Sequence, residues 1–285
     1  MKNKFLGIPY IIWMAIFVVI PLFLILGYAL TTRDGGFTLS NFARLGSYAG
    51  VFADSFLLAI IATVICLIIG YPIAYWMSRE GPAFKRIALV ILMLPMWMNF
   101  LLRTYAWMSL LENTGILNEL FNALGIFKLI NAIFGTDITY FPMINTKGAV
   151  VVGMVYNYLP FMIMPIYTVI DKIDSRVIEA AQDLGANTAN VFRRVIFPLS
   201  IPGVISGITM VFIPAITAFA ISRLLGGSKF MLYGDLIENQ FITLGRDAWP
   251  VGSALSFILL VLVLISMAIM RRAEREAGEE GGMLW

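Results

Sequence analysis

The 285-residue chain has no histidine, one cysteine and few charges: Asp, Glu, Lys and Arg together make up 13% of it. One cysteine closes no internal disulfide. Without histidine there is no Cys/His zinc site and no His-based catalytic triad. The formal net charge is only +3 and the basic residues are dispersed, which excludes a soluble nucleic-acid binder with a concentrated basic face. No Gly-x4-Gly-Lys-Ser/Thr phosphate loop occurs, since Gly226-Gly227-Ser228-Lys229 fails the spacing. The chain itself is therefore not expected to be an enzyme.

What the sequence has in quantity is apolar surface. Hydrophobic residues make up 60% and the mean hydropathy is +0.88, against about 45–50% apolar and about 25% charged in ordinary soluble domains. The apolar runs recur along the whole chain, so the first is not a secretory signal on a soluble body. A hydrocarbon core of about 30 Å needs roughly 20 apolar residues in helical form. Six runs meet this: Pro9–Leu30, Ser55–Met77, Ile87–Leu111, Gly148–Ile170, Ser200–Ile221 and Val251–Met270. Their length excludes barrel strands, and backbone groups in lipid must be satisfied within a segment. The expectation is an all-α membrane protein of six spanning helices, with one membrane domain over residues 1–271. Pro21, Pro72, Pro95, Pro160, Pro165 and Pro214 fall inside the runs, either as ordinary membrane-helix composition or as bends around a pathway.

Orientation follows the Lys/Arg bias of the loops. One side would hold Lys2, Lys4, Arg79, Lys85, Arg86, Lys172, Arg176, Arg193, Arg194, Arg271, Arg272 and Arg275. The other would hold Arg33, Arg44, Lys128, Lys147, Arg223, Lys229 and Arg246. The richer side is the cytoplasmic one, which puts both termini inside. The long outer segment Glu112–Lys147 carries Leu117, Leu120, Phe121 and Leu124 at helical spacing, with Asn118, Glu119 and Asn122 opposite. It reads as an amphipathic helix at the interface. The polar residues 272–285 read as a tail, disordered from Glu274 to Trp285.

The loop between the fourth and fifth runs, residues 171–199, is the most informative. Asp174 or Ser175 suits a helix N-cap, Glu179 would sit near the positive dipole end, and Gly185 suits the left-handed stop. Val177, Ala181 and Leu184 would line one face beside small Ala180, and Asn187 or Thr188 would cap a second helix running to Pro198. The spacing Glu179-Ala180-Ala181-x3-Gly185-x9-Val195-Ile196-Phe197-Pro198 resembles the EAA loop of bacterial ABC-importer permeases, Glu-Ala-Ala-x3-Gly-x9-Ile-x-Leu-Pro. Val195 and Phe197 are conservative departures. The resemblance extends to the permeases of spermidine/putrescine importers, most of all the B-type subunit. It rests there on residues 94–107 (Leu94-Pro95-Met96-Trp97 to Trp107), 113–118, 225–229 and 246–250.

That resemblance implies the type I importer permease fold in a bacterial inner membrane, and the role of a translocation pathway. It implies that Glu179, Ala180, Ala181, Asp183 and Gly185 couple to an ATPase. The implied partners are a second homologous permease, two ATPase copies and an extracytoplasmic binding protein. No cofactor is expected in this chain; ATP and Mg would reside on the ATPase. Importers of phosphonate, sulfate or iron share the architecture and stand as alternatives. A stand-alone secondary transporter would show inverted repeats or ionisable groups deep in the membrane, and neither is evident. An intramembrane enzyme lacks a nucleophile–base arrangement here.

No Asp or Glu lies deep inside the six runs. For a polyamine, a chain of ammonium groups, the spans offer aromatics and amides: Trp97, Asn99, Tyr105, Trp107, Tyr156, Asn157 and Tyr158. Tyr105, Ser109 and Glu112 would share a face of the third run, with Trp97 deeper in it. The alternative is an interfacial aromatic belt and helix packing. Arg103 could gate, or be a structural ion pair or snorkel outward. Pro214 could bend the fifth helix at a gate, and Cys66 suits tight packing.

Overall fold

The computed structural model describes residues 8–32, 36–227 and 229–282, with side chains through residue 273. Lys2, Lys4, Arg33, Ser228, the Arg275 side chain and the last three residues of the tail lie outside the described residues. Five helices are long and apolar enough to cross a membrane: Ile8–Ala29, Ser40–Arg79, Lys147–Ile170, Thr188–Ile216 and Arg246–Ala273. A sixth crossing is a broken pair, Pro82–Trp97 and Phe100–Ala123, bent by 91°. We label the principal helices α1 (Ile8–Ala29), α2 (Ala49–Arg79), α3 (Pro82–Trp97), α4 (Phe100–Leu111), α5 (Ile116–Ala123), α6 (Ile126–Phe134) and α7 (Lys147–Ile170). They continue as α8 (Ser175–Asp183), α9 (Phe197–Ile216), α10 (Phe219–Leu225), α11 (Tyr233–Glu238) and α12 (Trp249–Gly282).

The break corrects the expectation of one continuous span over Ile87–Leu111. Met98 and Asn99 have extended ψ values of 148° and 130°. The Asn99 Oδ1 accepts the backbone N–H groups of Leu101 at 2.8 Å and Leu102 at 3.4 Å. Asn99 is thus an N-cap, which satisfies donors at the start of α4 that have no partner within the helix. It does not bond across helices.

The directions of the helices follow from their contacts. Asp54 near the start of α2 pairs with Lys147 at the start of α7 at 2.8 Å. Lys85, just after α2, pairs with Asp171 at the end of α7 at 2.6 Å. The two helices therefore run parallel, and α3–α4 must carry the chain back between them. On α9, Ser200 meets Tyr71 at 2.7 Å and Pro214 meets Tyr158 at 3.3 Å, so it runs antiparallel to both. The rings of Tyr28 and Trp249 touch edge to face at 5.8 Å. This puts the start of α1, the end of α12 and the 171–196 loop at one end of the bundle.

The core is the seam of α2, α7 and α9, where Cys66, Met154, Met162, Ile163, Ile166 and Val211 are fully buried. Gly203 and Gly207 make it tight. A β-carbon on Gly203 would lie 2.9 Å from the Pro165 carbonyl oxygen, and one on Gly207 2.8 Å from the Met162 sulfur. Small residues four apart let two helix backbones approach where lipid supplies no hydrophobic drive. By contrast, α1 buries only Ala29 and shows nearly all its apolar side chains outward.

Prolines are accommodated locally. A π turn spans Ala15–Val19 just before Pro21, and another spans Phe192–Ile196 just before Pro198. Proline has no N–H, and its ring crowds the carbonyl four residues back. Widening the turn gives the preceding N–H groups, of Ile20 and Phe197, partners at the Ala15 and Phe192 carbonyls instead. The fifth span departs from the expected Ser200–Ile221: α9 ends at Ile216 and α10 starts at Phe219. The Thr217 hydroxyl donates to the Pro214 carbonyl at 3.2 Å there, and Ala218 is extended at ψ 97°.

Two further expectations are corrected, on Asn118 and on the tail. Asn118 is buried, not on a solvated face: its amide donates to the Glu112 and Phe141 carbonyls at 3.0 and 3.1 Å and accepts from the Phe141 N–H at 2.8 Å. The short helix expected over Leu117–Leu124 is present as α5, and a second helix, α6, follows it after Gly125 at φ +72°. The tail is not disordered from Glu274, because α12 continues to Gly282. Ala, Glu and Arg are good helix formers, and an existing helix extends without a new nucleus.

Candidate coupling surface and substrate pathway

The short helix α8 is closed at both ends by residues the sequence singles out. The Asp174 carboxylate accepts the Arg176 N–H at 2.9 Å as the N-cap and also pairs with the Arg176 guanidinium, which holds its pKa below the usual carboxylate range. At the other end Gly185 has φ +85°. Its N–H reaches the Gln182 carbonyl at 2.8 Å, and that of Ala186 reaches the Ala181 carbonyl at 3.0 Å. This pair of bonds is a Schellman closure, which needs a left-handed residue at position 185. Asn187 caps the next turn by accepting the Asn190 N–H at 2.9 Å.

The two faces of α8 differ. Ile178 and Ala181 pack against the cluster formed by Met77, Ile170, Val191 and Ile196. Glu179, Ala180, Asp183, Leu184 and Gly185 are exposed, Leu184 at 89%. Leu184 therefore leaves the face that Ala181 occupies, against the expected Val177–Ala181–Leu184 line. The inward face joins α8 to the ends of α2, α7 and α9. The outward face offers small residues, two carboxylates and one bare leucine to another surface.

The candidate pathway residues divide by position. Trp97, Asn99, Tyr105 and Glu112 are exposed, Trp97 at 76% and Tyr105 at 46%. Trp97 closes α3 while Tyr105 lies on α4 beyond the bend, so the two do not belong to one continuous helix as expected. Asn157 is buried on α7, donating to the Gly153 carbonyl at 2.8 Å, with its Oδ1 unpartnered. The Tyr158 hydroxyl donates to the Pro214 carbonyl at 3.3 Å, tying α7 to the end of α9. Trp107 and Tyr156 meet edge to face at 5.3 Å. Arg103 is half-buried on α4 with its Nε buried and unpartnered, and no ion pair to it forms among the described residues.

In the connection between α9 and α12, sequence reasoning singled out residues 225–229 and 246–250 but passed over Asp235. There Asp235 on α11 is 7% exposed; its Oδ2 accepts from the Ser222 hydroxyl and from the Leu232 N–H at 3.0 Å. Burial raises its pKa above the usual carboxylate value. The available signal was an acid three residues into a short helix after a run of apolar residues. Asn41 was also missed: it is buried and donates to the Ala29 and Thr31 carbonyls at 2.9 and 3.0 Å, closing the end of α1. No cluster of potential metal ligands occurs among the described residues.

Comparison with known proteins agrees with this architecture. Residues 3–278 match the family model described as binding-protein-dependent transport system inner membrane component. The chain is 40% identical to the spermidine/putrescine transport system permease protein PotB of Haemophilus influenzae, over 96% of each chain. It is 37% identical to PotB of Escherichia coli K12, over 92% of this chain and 94% of that one. Among solved structures it is similar to a bacterial ABC transporter that imports the acidic polysaccharide alginate, with a TM-score of 0.74 at 15% identity over 93% of each chain. It is also similar to the MetNI methionine transporter in an inward-facing conformation, with a TM-score of 0.55 at 17% identity over 80% of this chain and 95% of that one. With residues 3–278 matched, the chain belongs to the family of binding-protein-dependent transport system inner membrane components.

Proposed function

We propose that this chain is a membrane-spanning permease subunit of an ATP-driven importer for polyamines of the spermidine and putrescine type. The observation that carries the reading is the 40% identity to a spermidine/putrescine permease along 96% of both chains. In this reading the subunit pairs with a second permease, two ATPase copies and an extracytoplasmic binding protein. The ATPase supplies ATP and Mg chemistry, and this chain supplies the path and the lever. Both termini and α8 face the cytoplasm.

The geometry supports a stiff transmission. Movement imposed on the exposed face of α8 passes through Ile178 and Ala181 to the packed ends of α2, α7 and α9. The Lys85–Asp171 pair links the first turn of α3 to the same end. Midway along α7, Tyr158 bonds to Pro214 near the end of α9, two residues before α9 gives way to the Thr217–Ala218 break. Gating by Pro214 therefore means displacing that break, and Arg103 and Tyr105 ride on α4, which packs on α10. Trp97, Tyr105 and Glu112 present rings and a carboxylate to ammonium groups at the broken crossing.

Co-purification tests the assembly. The tagged chain, expressed with the neighbouring subunits of its importer, is expected to retain the ATPase through detergent extraction. Isolation of an active transporter with no ATPase attached would overturn the reading.

A further inference from the structure

The buried Asp235 lines a cavity of about 190 Å³ together with Arg223, Phe230, Met231 and Asn239. This cavity lies in the connection between α9 and α12, at the end of the bundle opposite α8. One carboxylate oxygen, Oδ2, is used within the chain by Ser222 and Leu232. The other, Oδ1, is buried without a hydrogen-bond partner. Buried carboxylate oxygens are almost always paired, because an unpaired one loses its hydration with nothing in return. The nearby cation does not supply the pairing. Arg223 is engaged by Glu238 through two bonds, of 2.6 and 3.3 Å. With Arg223 and Glu238 cancelling, the cavity keeps the charge of one carboxylate.

We infer that this cavity is a binding site for a primary ammonium group of the transported substrate, with Asp235 as its counter-ion. The chemistry of the lining fits an alkylammonium rather than a metal ion. A hard divalent cation takes six or more oxygen ligands, and this lining offers one free carboxylate oxygen and one amide. An ammonium needs only a few acceptors, found in Asp235 Oδ1 and the Asn239 side-chain carbonyl. The Phe230 ring and the Met231 thioether suit the methylene chain and the cation's edge. The lining residues, all between positions 223 and 239, lie outside the six apolar runs, so a substrate would meet the site before the broken crossing of α3 and α4. The inference rests on the polyamine reading and adds to it a carboxylate that no span provides.

The test uses the assembled complex in nanodiscs without the binding protein. Cys66 is replaced by alanine and Met231→Cys is introduced, Met231 being 41% exposed at the cavity. Labelling of the new thiol by an uncharged maleimide is timed with and without spermidine, and with fully acetylated, uncharged spermidine as control. Spermidine should slow labelling roughly threefold or more and the acetylated form should not, and Asp235→Asn should abolish the protection, because the charge-assisted bond is lost. Asparagine keeps an acceptor for the Leu232 N–H, so the loop closure survives. Where that variant does not assemble, Phe230→Leu replaces it, with weakened protection expected. Equal protection in parent and variant overturns the inference, as does equal protection by the acetylated control. A parental complex that imports polyamines in proteoliposomes with its binding protein yet shows no protection in nanodiscs overturns this site alone. A parental complex that imports no polyamine overturns the functional reading instead.

Discussion

Gly185 holds a backbone angle of φ +85° in open space, with no atom within 4 Å of where a β-carbon would sit. The constraint there is conformational, not steric crowding by neighbours. A left-handed residue with a side chain costs roughly 1–2 kcal/mol, and a β-branched one is a severe outlier. Gly185→Val should therefore open the Schellman closure of α8 and separate ATP hydrolysis from uptake while the chain still inserts. Gly185→Asn, which tolerates that angle, should keep most activity; paired ATPase and uptake assays on both variants check this. At Trp97 and Tyr105 the expectation concerns rings. A partly desolvated cation–π contact approaches about 2 kcal/mol, whereas an exposed charge pair gives about 1 kcal/mol or less. Replacing either ring with leucine should slow uptake with assembly intact, and Glu112→Gln should act more weakly and fade with added salt. Parental uptake rates in both leucine variants would assign these rings to packing or the interfacial belt.

Among the elements, the broken third crossing carries the sharpest local signature. Asn99→Ala removes the acceptor for two backbone donors at the start of α4 and should cost about 1 kcal/mol, with Asn99→Asp or Asn99→Ser restoring most of it. The thermal transition of the detergent-solubilised complex measures this. The same crossing marks where the sequence was legible and where it was not. Apolar runs announce spans because length and hydropathy are summed over a whole helix, so Lys147–Ile170 was readable almost to the residue. A bend is decided by one or two residues, and Met98–Asn99 sits inside an apolar run that averages it away. The pattern of Pro95 followed by a capping asparagine was present but reads equally as a tolerated kink and an interhelical amide. The loop helix α8 was readable because capping chemistry is local: Asp174 and Gly185 act within a few residues of themselves. The burial of Asn118 and Asp235 was not, since their partners Phe141 and Ser222 lie 23 and 13 residues away. The Gly203–Gly207 contact with α7 was not read either, because which helix a glycine meets is a property of the fold.

The whole molecule joins two surfaces through one packed seam. At one end, α8 presents Glu179, Ala180, Asp183 and Leu184; toward the other, α4 carries the exposed Tyr105 ring and α10 and α11 enclose the Asp235 cavity. Between them α2, α7 and α9 pack closely, with α7 and α9 meeting backbone to backbone at Gly203 and Gly207, an arrangement that transmits displacement rather than absorbing it, because close-packed interiors yield little. The central claim is that this bundle moves polyamines on the strength of a partner's ATP hydrolysis. Its most direct test is uptake of labelled spermidine by proteoliposomes holding the chain with its partner permease, ATPase and binding protein. The account predicts accumulation that requires ATP, is inhibited by competing putrescine and is lost in the Gly185→Val complex. Uptake without ATP, or ATP-driven import of another solute that polyamines neither share nor inhibit, would contradict it.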